Sequence, residues 1–135
     1  MDTTPEYILQ CENAVEIQVQ RDIERDGDLW HVISPNDTLG EGEIVFNCHD
    51  EFEEYAEKSL IECAGLKKLI WLPRQDQLQE MVEYPDLGSI LRDIREFWGN
   101  NETYYPTDFY SMEQLWLSFV MKEKFGKVLN GGGWI

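Results

Sequence analysis

Long hydrophobic runs are missing from this sequence. Its apolar stretches extend over only a few residues, whereas a helix that crosses a bilayer needs about 20. Residues 1–6 also lack the basic and apolar regions of a secretory signal. We therefore expect a cytoplasmic protein that does not act at a membrane.

Cysteine is scarce and irregularly placed. The three cysteines, Cys11, Cys48 and Cys63, are odd in number and share no short spacing, unlike the dense, even-numbered disulfide framework of a small secreted domain. Structural zinc sites usually contain a closely spaced ligand pair such as Cys-x-x-Cys, and the sequence has none. We expect reduced thiols, no metal and no cofactor.

Positive charge is almost missing from the first half. Residues 1–63 hold 17 acidic and three basic residues, a net charge of −14, whereas residues 64–135 have a net charge of −2. Direct binding of nucleic acid through the first half is disfavoured, because few cations there could neutralise phosphates, and binding of an anionic membrane is excluded on the same grounds. Basic proteins remain as partners, and solubility is the alternative explanation of the charge.

Apolar material is plentiful. Hydrophobic residues make up 42% of the 135 residues and aromatic residues 13%, so a packed core is expected rather than a disordered acidic tail. The length suits one domain. The patterning predicts an α+β fold, with an acidic β-rich module over residues 1–66 and a helical module over residues 67–135, joined in one compact unit.

Alternating apolar and polar residues predict a small antiparallel sheet in the first half. In the first candidate strand, Val15, Ile17 and Val19 alternate with polar side chains, and Asp26-Gly27 after it is typical of a hairpin. The predicted strands of this sheet cover residues 14–23, 29–33 and 43–47, and residues 67–72, in the second module, have the composition of a separate short buried strand.

Helical spacing of apolar residues predicts four helices. The first is acidic, covers residues 50–64 and opens with Asp50 and Glu53 in the arrangement of a capping box. The last opens with the capping box of Ser111 and Gln114 and ends at Gly126. The two between them cover residues 75–83 and 87–98.

The core and the C-terminal tail follow from the same patterns. Residues 127–135 predict a hairpin or terminal strand around Asn130-Gly131. Large apolar side chains within regular elements are expected in the core, among them Trp71, Ile90, Leu91, Ile94, Phe97, Trp98, Met112, Leu115, Trp116, Phe119, Val120, Phe125 and Trp134.

Two blocks of the second half look familiar. Residues 71–81 read WLPRQDQLQEM, and residues 112–117 and 119–128 read MEQLWL and FVMKEKFGKV, followed by Asn130-Gly131 and Trp134. Residues 70–135 thereby resemble small uncharacterised proteins carried by phages and prophages of Gram-positive bacteria. The resemblance implies a phage-related origin and expression in the bacterial cytoplasm. It carries no activity, cofactor or site residue, and the acidic first half lies outside it.

Enzymatic chemistry is a weaker hypothesis. His31, Cys48 and His49 suggest a thiol nucleophile, but neighbouring residues of a strand point to opposite faces, so His49 is badly placed to activate Cys48. The acidic residues that follow Asp50 lack the central glycine of a calcium loop. They also lie on a predicted solvated face rather than in a cleft. An unrecognised hydrolase stays a third hypothesis, and we expect no enzyme.

Nucleic-acid mimicry is the leading hypothesis. A DNA duplex carries a negative charge about every 1.7 Å of its axis, and neighbouring carboxylates on a helix lie about 5–6 Å apart. A field of carboxylates is expected to attract a basic nucleic-acid-binding protein, such as a host defence nuclease of the CRISPR or restriction type. The residues expected to form it are Asp22, Glu24, Asp26, Asp28, Glu41, Glu43, Asp50, Glu51, Glu54, Glu57 and Glu62.

The main alternative is an adaptor. Tyr104 and Tyr105 lie in a loop rich in Asn and Pro, where aromatic side chains can anchor a protein interface. A small phage accessory or structural protein that binds through this loop would show little dependence on salt.

Overall fold

The computed structural model describes residues 1–20, 28–33, 42–46, 68–100, 109–131 and 133–135. The helices of this part are α1 (Pro5–Asn13), α2 (Val15–Gln18), α3 (Gln75–Glu80), α4 (Leu87–Asn100) and α5 (Met112–Phe125). The strands are β1 (Leu29–Ile33), β2 (Glu43–Phe46), β3 (Lys68–Leu72), β4 (Leu129–Asn130) and β5 (Gly133–Trp134). The predicted α+β fold is confirmed. None of the described helices is long and apolar enough to span a bilayer.

The chain divides into two units. The first is Thr3–Pro73, and the second combines Met1–Asp2 with Arg74–Ile135. The boundary predicted after residue 66 falls in front of β3, whereas the structural division comes after it. The reason is that β3 is hydrogen-bonded to β1 along its whole length, which makes it part of the first unit.

A three-stranded antiparallel sheet forms the centre of the first unit. Its order is β2-β1-β3, and Trp30 of β1 faces Trp71 of β3 and Val45 of β2. Strands predicted at 29–33, 43–47 and 67–72 are therefore confirmed. The side chains of Leu29, Trp30 and His31 in the central strand β1 and of residues 69–72 in β3 are buried, and most of these residues have high β-propensity.

The strand predicted at 14–23 is wrong, because the described part of this segment is helical. Thr4 caps α1 by accepting a hydrogen bond from the Tyr7 amide, and Pro5 fits the first turn. The inward positions Tyr7, Cys11 and Ala14 have helical spacing and are fully buried. Val15 and Val19 are instead 61% and 75% exposed. Asp26-Gly27 and the acidic helix predicted at 50–64 lie outside the described residues.

The side-chain amide of Gln18 pairs with the backbone of β3. Gln18 Oε1 accepts from the Trp71 amide at 2.9 Å, and Gln18 Nε2 donates to the Trp71 carbonyl at 2.9 Å and to the Cys11 carbonyl at 3.1 Å. A neighbouring strand would bind Trp71 in the same way. Nearby, Tyr7 Oη donates to the Pro73 carbonyl at 2.6 Å. The bonds to Trp71 fasten α2 to β3, and the bond to Pro73 fastens α1 to the residue that follows β3.

Aromatic packing organises the second unit. Phe119 of α5 lies edge-on to Phe97 of α4 at 5.4 Å and to Trp116 at 5.7 Å between ring centroids, a favourable geometry for aromatic pairs. Residues 116–121 are all buried, and so are Leu78 of α3 and Ile94 of α4. The predicted helices at 87–98 and 112–125 are confirmed, and the one at 75–83 ends earlier, at Glu80.

Three predicted core residues of these helices are largely exposed. Trp98 is 62%, Leu91 54% and Met112 50% exposed. Successive helical positions are about 100° apart, so Trp98 points away from the side on which Phe97 is buried. Met112 lies in the first turn of α5, one residue after its cap.

Both ends of α5 are capped, and its N-terminus is tied to Asp2. Ser111 Oγ accepts from the Gln114 amide at 3.1 Å, as the capping box predicts. The Gln114 side chain does not return to Ser111 but donates to Asp2 Oδ2 at 2.8 Å, and Ser111 Oγ donates to the same oxygen. Gly126 ends the helix with φ of 68°, the left-handed conformation that glycine favours.

The C-terminal hairpin is confirmed. β4 and β5 pair in antiparallel register, and Gly131 in the turn has φ of 60°. Val128 and Ile135 exchange two backbone hydrogen bonds of 2.8 and 3.0 Å beyond the strands.

Replacing Gln18 by Glu tests the hydrogen bonds that join its side chain to the backbone of Trp71 and Cys11. The carboxylate can still accept from the Trp71 amide but has no donor for the Trp71 and Cys11 carbonyls. We expect the free energy of unfolding, measured by urea titration, to fall by about 1–3 kcal/mol. Gln20→Glu is the matched control: Gln20 is exposed and its amide donates to the Glu16 carbonyl at 3.1 Å, so its change should stay within about 0.5 kcal/mol. Equal losses of unfolding free energy in Gln18→Glu and Gln20→Glu would contradict the role given to the Gln18 hydrogen bonds.

Replacing Asp2 by Ala tests the tie to α5. Asp2 is 7% and Gln114 3% exposed, so the substitution leaves a buried amide donor without its acceptor. The expected loss in unfolding free energy is about 1–3 kcal/mol. Glu83→Ala, at an exposed position of the same unit, should change it little. A neutral Asp2→Ala variant would show that the carboxylate does not support the cap.

Candidate partner-binding surfaces

Most of the predicted acidic surface lies outside the described residues. This applies to Asp22, Glu24, Asp26, Glu41, Asp50, Glu51, Glu54, Glu57 and Glu62, and to the aromatic pair Tyr104 and Tyr105. Glu43 begins β2, where sheet pairing opposite Val32 fixes its backbone. These residues keep their place in the hypothesis as predictions.

Asp28 does not belong to an exposed surface. It directly precedes β1 and its side chain is fully buried. A partner could not reach it without opening the unit, so its inclusion in the acidic field is corrected. A sequence pattern does not distinguish a buried carboxylate from a solvated one, because an aspartate between a turn and a strand can have either environment.

Three further carboxylates belong to the described part of the first unit. Glu6 is exposed in the first turn of α1, and Glu12 and Glu16 are half-buried on α1 and α2. The predicted acidic field does not contain them, because the sequence analysis assigns no element to residues 5–13 and predicts a strand at the position of Glu16. The signal that could have found them is Thr4-Pro5-Glu6, which is a good helix start.

The thiol and histidine candidates separate into two groups. Cys11 of α1 and His31 of the central strand β1 are both buried, whereas Cys48, His49 and Cys63 lie outside the described residues. Among the residues that the structure does describe, no three His, Cys, Asp or Glu side chains form a group that could hold a metal ion. The buried position of His31 fits a core side chain.

A small cavity in the second unit contains one perturbed phenol. Its volume is about 300 Å³, and its lining includes Tyr84, Glu83, Glu123 and Lys124. The Lys124 ammonium donates to the Met81 carbonyl at 3.2 Å, and the Tyr84 ring stacks on Phe119 at 6.3 Å. Burial, reinforced by the carboxylates of Glu123 and Asp93, raises the pKa of Tyr84 to about 12. The phenol is therefore a neutral hydrogen-bonding group at physiological pH.

An apolar stripe on α4 faces solvent. It consists of Leu87, Leu91 and Trp98, which are 72%, 54% and 62% exposed and which helical geometry places on one side. We call these three residues the α4 stripe. Arg95 lies beside it and is exposed, and a shallow depression of about 430 Å³ runs along Leu91, Arg92, Arg95 and Glu96. Exposed Trp and Arg are typical of protein interfaces.

No protein-family model, curated protein or solved structure matches this chain. The resemblance of residues 70–135 to phage proteins stays a prediction.

The titration of Tyr84 gives a direct test of the cavity. Its pKa is raised above the ordinary 10.0, so the folded chain holds the phenol proton more tightly than the unfolded chain does. Stability should therefore fall as the pH rises from about 10 to about 12. In ultraviolet difference titrations, Tyr84→Phe should remove a late tyrosine transition that Tyr110→Phe, at an exposed position, retains. Loss of that transition in Tyr110→Phe would contradict the burial argument.

Proposed function

We propose that this chain is a non-enzymatic, phage-type interaction protein. Its acidic first half would occupy the basic nucleic-acid site of a host defence protein, such as a CRISPR effector nuclease or a restriction enzyme. The observation that carries the proposal is the charge distribution: a net −14 within residues 1–63 against −2 in the rest of the chain. Solubility alone does not require that the charge be concentrated in one half.

The described residues of the first unit show the same excess of negative over positive charge. They include the carboxylates of Glu6, Glu12 and Glu16, while Lys68 is the only lysine or arginine among them. A basic channel that binds phosphates would therefore meet few repelling cations in this part of the chain. Electrostatic steering toward such a surface raises association rates and falls with ionic strength.

Fixed backbone positions also support the proposal. Glu43 is held in the sheet by pairing of β2 with β1, and Glu16 lies two residues before Gln18, whose amide is anchored to β3. Carboxylates on a preorganised backbone lose less conformational entropy on binding than carboxylates on a free chain.

A second candidate, an adaptor that binds through apolar side chains, is favoured by one observation. The α4 stripe exposes two leucines and a tryptophan on a single helix face. The aromatic loop at Tyr104 and Tyr105, on which the adaptor hypothesis first rested, lies outside the described residues. Binding through apolar side chains would depend weakly on salt.

Competition with DNA tests the mimicry proposal. A fluorescent DNA duplex is bound to purified CRISPR effector nucleases and restriction enzymes, and its release by this protein is followed by anisotropy at increasing salt. We expect release at low salt and an affinity that falls steeply as salt rises. The triple variant Glu51→Gln, Glu54→Gln, Glu57→Gln should bind at least about tenfold more weakly, which corresponds to about 1.4 kcal/mol.

The matched control removes three charges from the other half. Glu83→Gln, Glu96→Gln, Glu123→Gln lies entirely within the second unit and should retain most of the affinity. Equal weakening by the two triple variants would mean that only bulk charge matters. Unchanged binding by the first variant, or no release of DNA from any enzyme at low salt, would refute mimicry.

A further inference from the structure

The C-terminal hairpin turns at the dipeptide Asn130-Gly131. Asn130 ends β4, and Gly131 follows it with φ of 60°. Both residues are exposed, and an ideal Cβ at Gly131 would have nothing within 4 Å. Neither a side chain of its own nor a packed neighbour therefore crowds the residue that follows this asparagine.

We propose that Asn130 is a site of spontaneous covalent modification, at which the backbone nitrogen of Gly131 attacks the side-chain amide of Asn130. A bond forms between that nitrogen and Asn130 Cγ, the bond from Cγ to Nδ2 breaks, and ammonia leaves with the proton of the Gly131 amide. The product is a cyclic imide, a succinimide. Water then opens the ring: addition at Cγ gives aspartate, and addition at the backbone carbonyl carbon gives isoaspartate. Water is the only co-reactant, and nothing is oxidised or reduced.

The structure distinguishes Asn130 from Asn13, which is also exposed. Asn13 ends α1 and is followed by Ala14, whose side chain is fully buried. The Ala14 amide, which would have to attack, donates to the Gln10 and Cys11 carbonyls at 3.1 and 3.2 Å. A nitrogen that is held by two acceptors next to a buried methyl group reaches the preceding side chain only when the end of the helix opens. Asn13 should therefore stay intact.

The hairpin itself controls the rate at Asn130. Attack needs a rotation of the backbone between Asn130 and Gly131, and the pairing of Asn130 with Gly133 resists it. The paired strands have only two residues each, extended by the bonds between Val128 and Ile135. A two-stranded hairpin is marginally stable, and such terminal elements open locally at a small fraction of the free energy of global unfolding. The reaction therefore proceeds in the open hairpin while the helices of the second unit stay folded.

The two products have different consequences for the hairpin. Aspartate keeps the main chain as it is and adds one negative charge at an exposed position. Isoaspartate carries the main chain through Cβ and Cγ, which inserts a methylene group at position 130. The register in which Asn130 faces Gly133 is then lost, so β4 and β5 should not pair in the isoaspartate form.

Incubation of the purified chain in mildly alkaline buffer, followed by peptide mapping with a fragmentation method that separates isoaspartate from aspartate, tests the site. The peptide that contains Asn130 should gain the mass of an amide converted to an acid, with isoaspartate present, while the peptide with Asn13 stays unchanged. Asn130→Gln is the matched variant, because its extra methylene requires a larger ring. Its conversion at this position should be at least about tenfold slower, or about 1.4 kcal/mol in activation free energy. Unmodified Asn130, equal conversion of Asn13, or equal rates in Asn130→Gln would overturn the proposal.

The role of hairpin opening is tested by weakening the hairpin. Trp134 of β5 faces Leu129 of β4, so Trp134→Ala removes one cross-strand pair and should speed the conversion of Asn130 by about two- to fivefold. Trp98→Ala is the control, because Trp98 is an exposed tryptophan of α4, and it should leave the rate unchanged. Urea-unfolded chain should convert faster than folded chain. An unchanged rate in Trp134→Ala, an equal acceleration by Trp98→Ala, or no acceleration in urea would contradict reaction through the open hairpin.

Discussion

The first unit depends on the pairing of one side-chain amide with one backbone residue. Gln18 offers Trp71 a donor and an acceptor at 2.9 Å each, so a side chain satisfies both backbone groups of this residue of β3. Buried peptide groups that lose their partners are expensive. Apolar packing also holds α1 and α2 against β3. Of the side-chain hydrogen bonds described between these helices and the segment of β3 and Pro73, only that of the Tyr7 hydroxyl to the Pro73 carbonyl would remain without the Gln18 amide. The third bond, to the Cys11 carbonyl, also connects the end of α1 with α2.

The second unit relies on a different principle. Phe119 contacts Phe97, Trp116 and Tyr84 at once, so a single ring links α4, α5 and the segment between α3 and α4. Polar bonds anchor both ends of α5: Asp2 joins the cap formed by Ser111 at its N-terminus, and Lys124 in its last turn donates to the Met81 carbonyl. Lys122, close to the C-terminus of α5, lies over the Phe97 ring with its Nζ 5.2 Å from the ring centroid. Its ammonium thereby makes a cation–π contact with the aromatic cluster.

Local signals explain what could be predicted from the sequence. β1 and β3 are short β-prone runs between turns, and α5 has Ser111 at one end and Gly126 at the other, so their positions follow from the chain alone. The segment at 14–23 misled because Val15, Ile17 and Val19 alternate by chance within a longer helical period that begins at Tyr7. Which of the two periods matches the structure depends on the surface against which the segment packs, here β3. A local sequence pattern carries no information about that surface.

The candidate surfaces were less predictable than the fold, for a physical reason. Exposure is a tertiary property: Trp98 and Phe97 are adjacent large aromatics, yet one is 62% and the other 3% exposed. The same holds for carboxylates, since Asp28 is buried while Glu6 is exposed. Charge asymmetry between the halves, by contrast, is a sum over residues and needs no structure. It is therefore the firmest basis for a functional proposal that the sequence provides.

Closing β3 with a glutamine also affects how the protein ages. A strand edge with free amides and carbonyls is a template on which other chains can add strands and begin to aggregate. At Trp71 this template is blocked by the side chain of Gln18, whose amide can be hydrolysed slowly to a carboxylate. Loss of one ammonia molecule from Gln18 would thus uncover the Trp71 carbonyl in an intact chain.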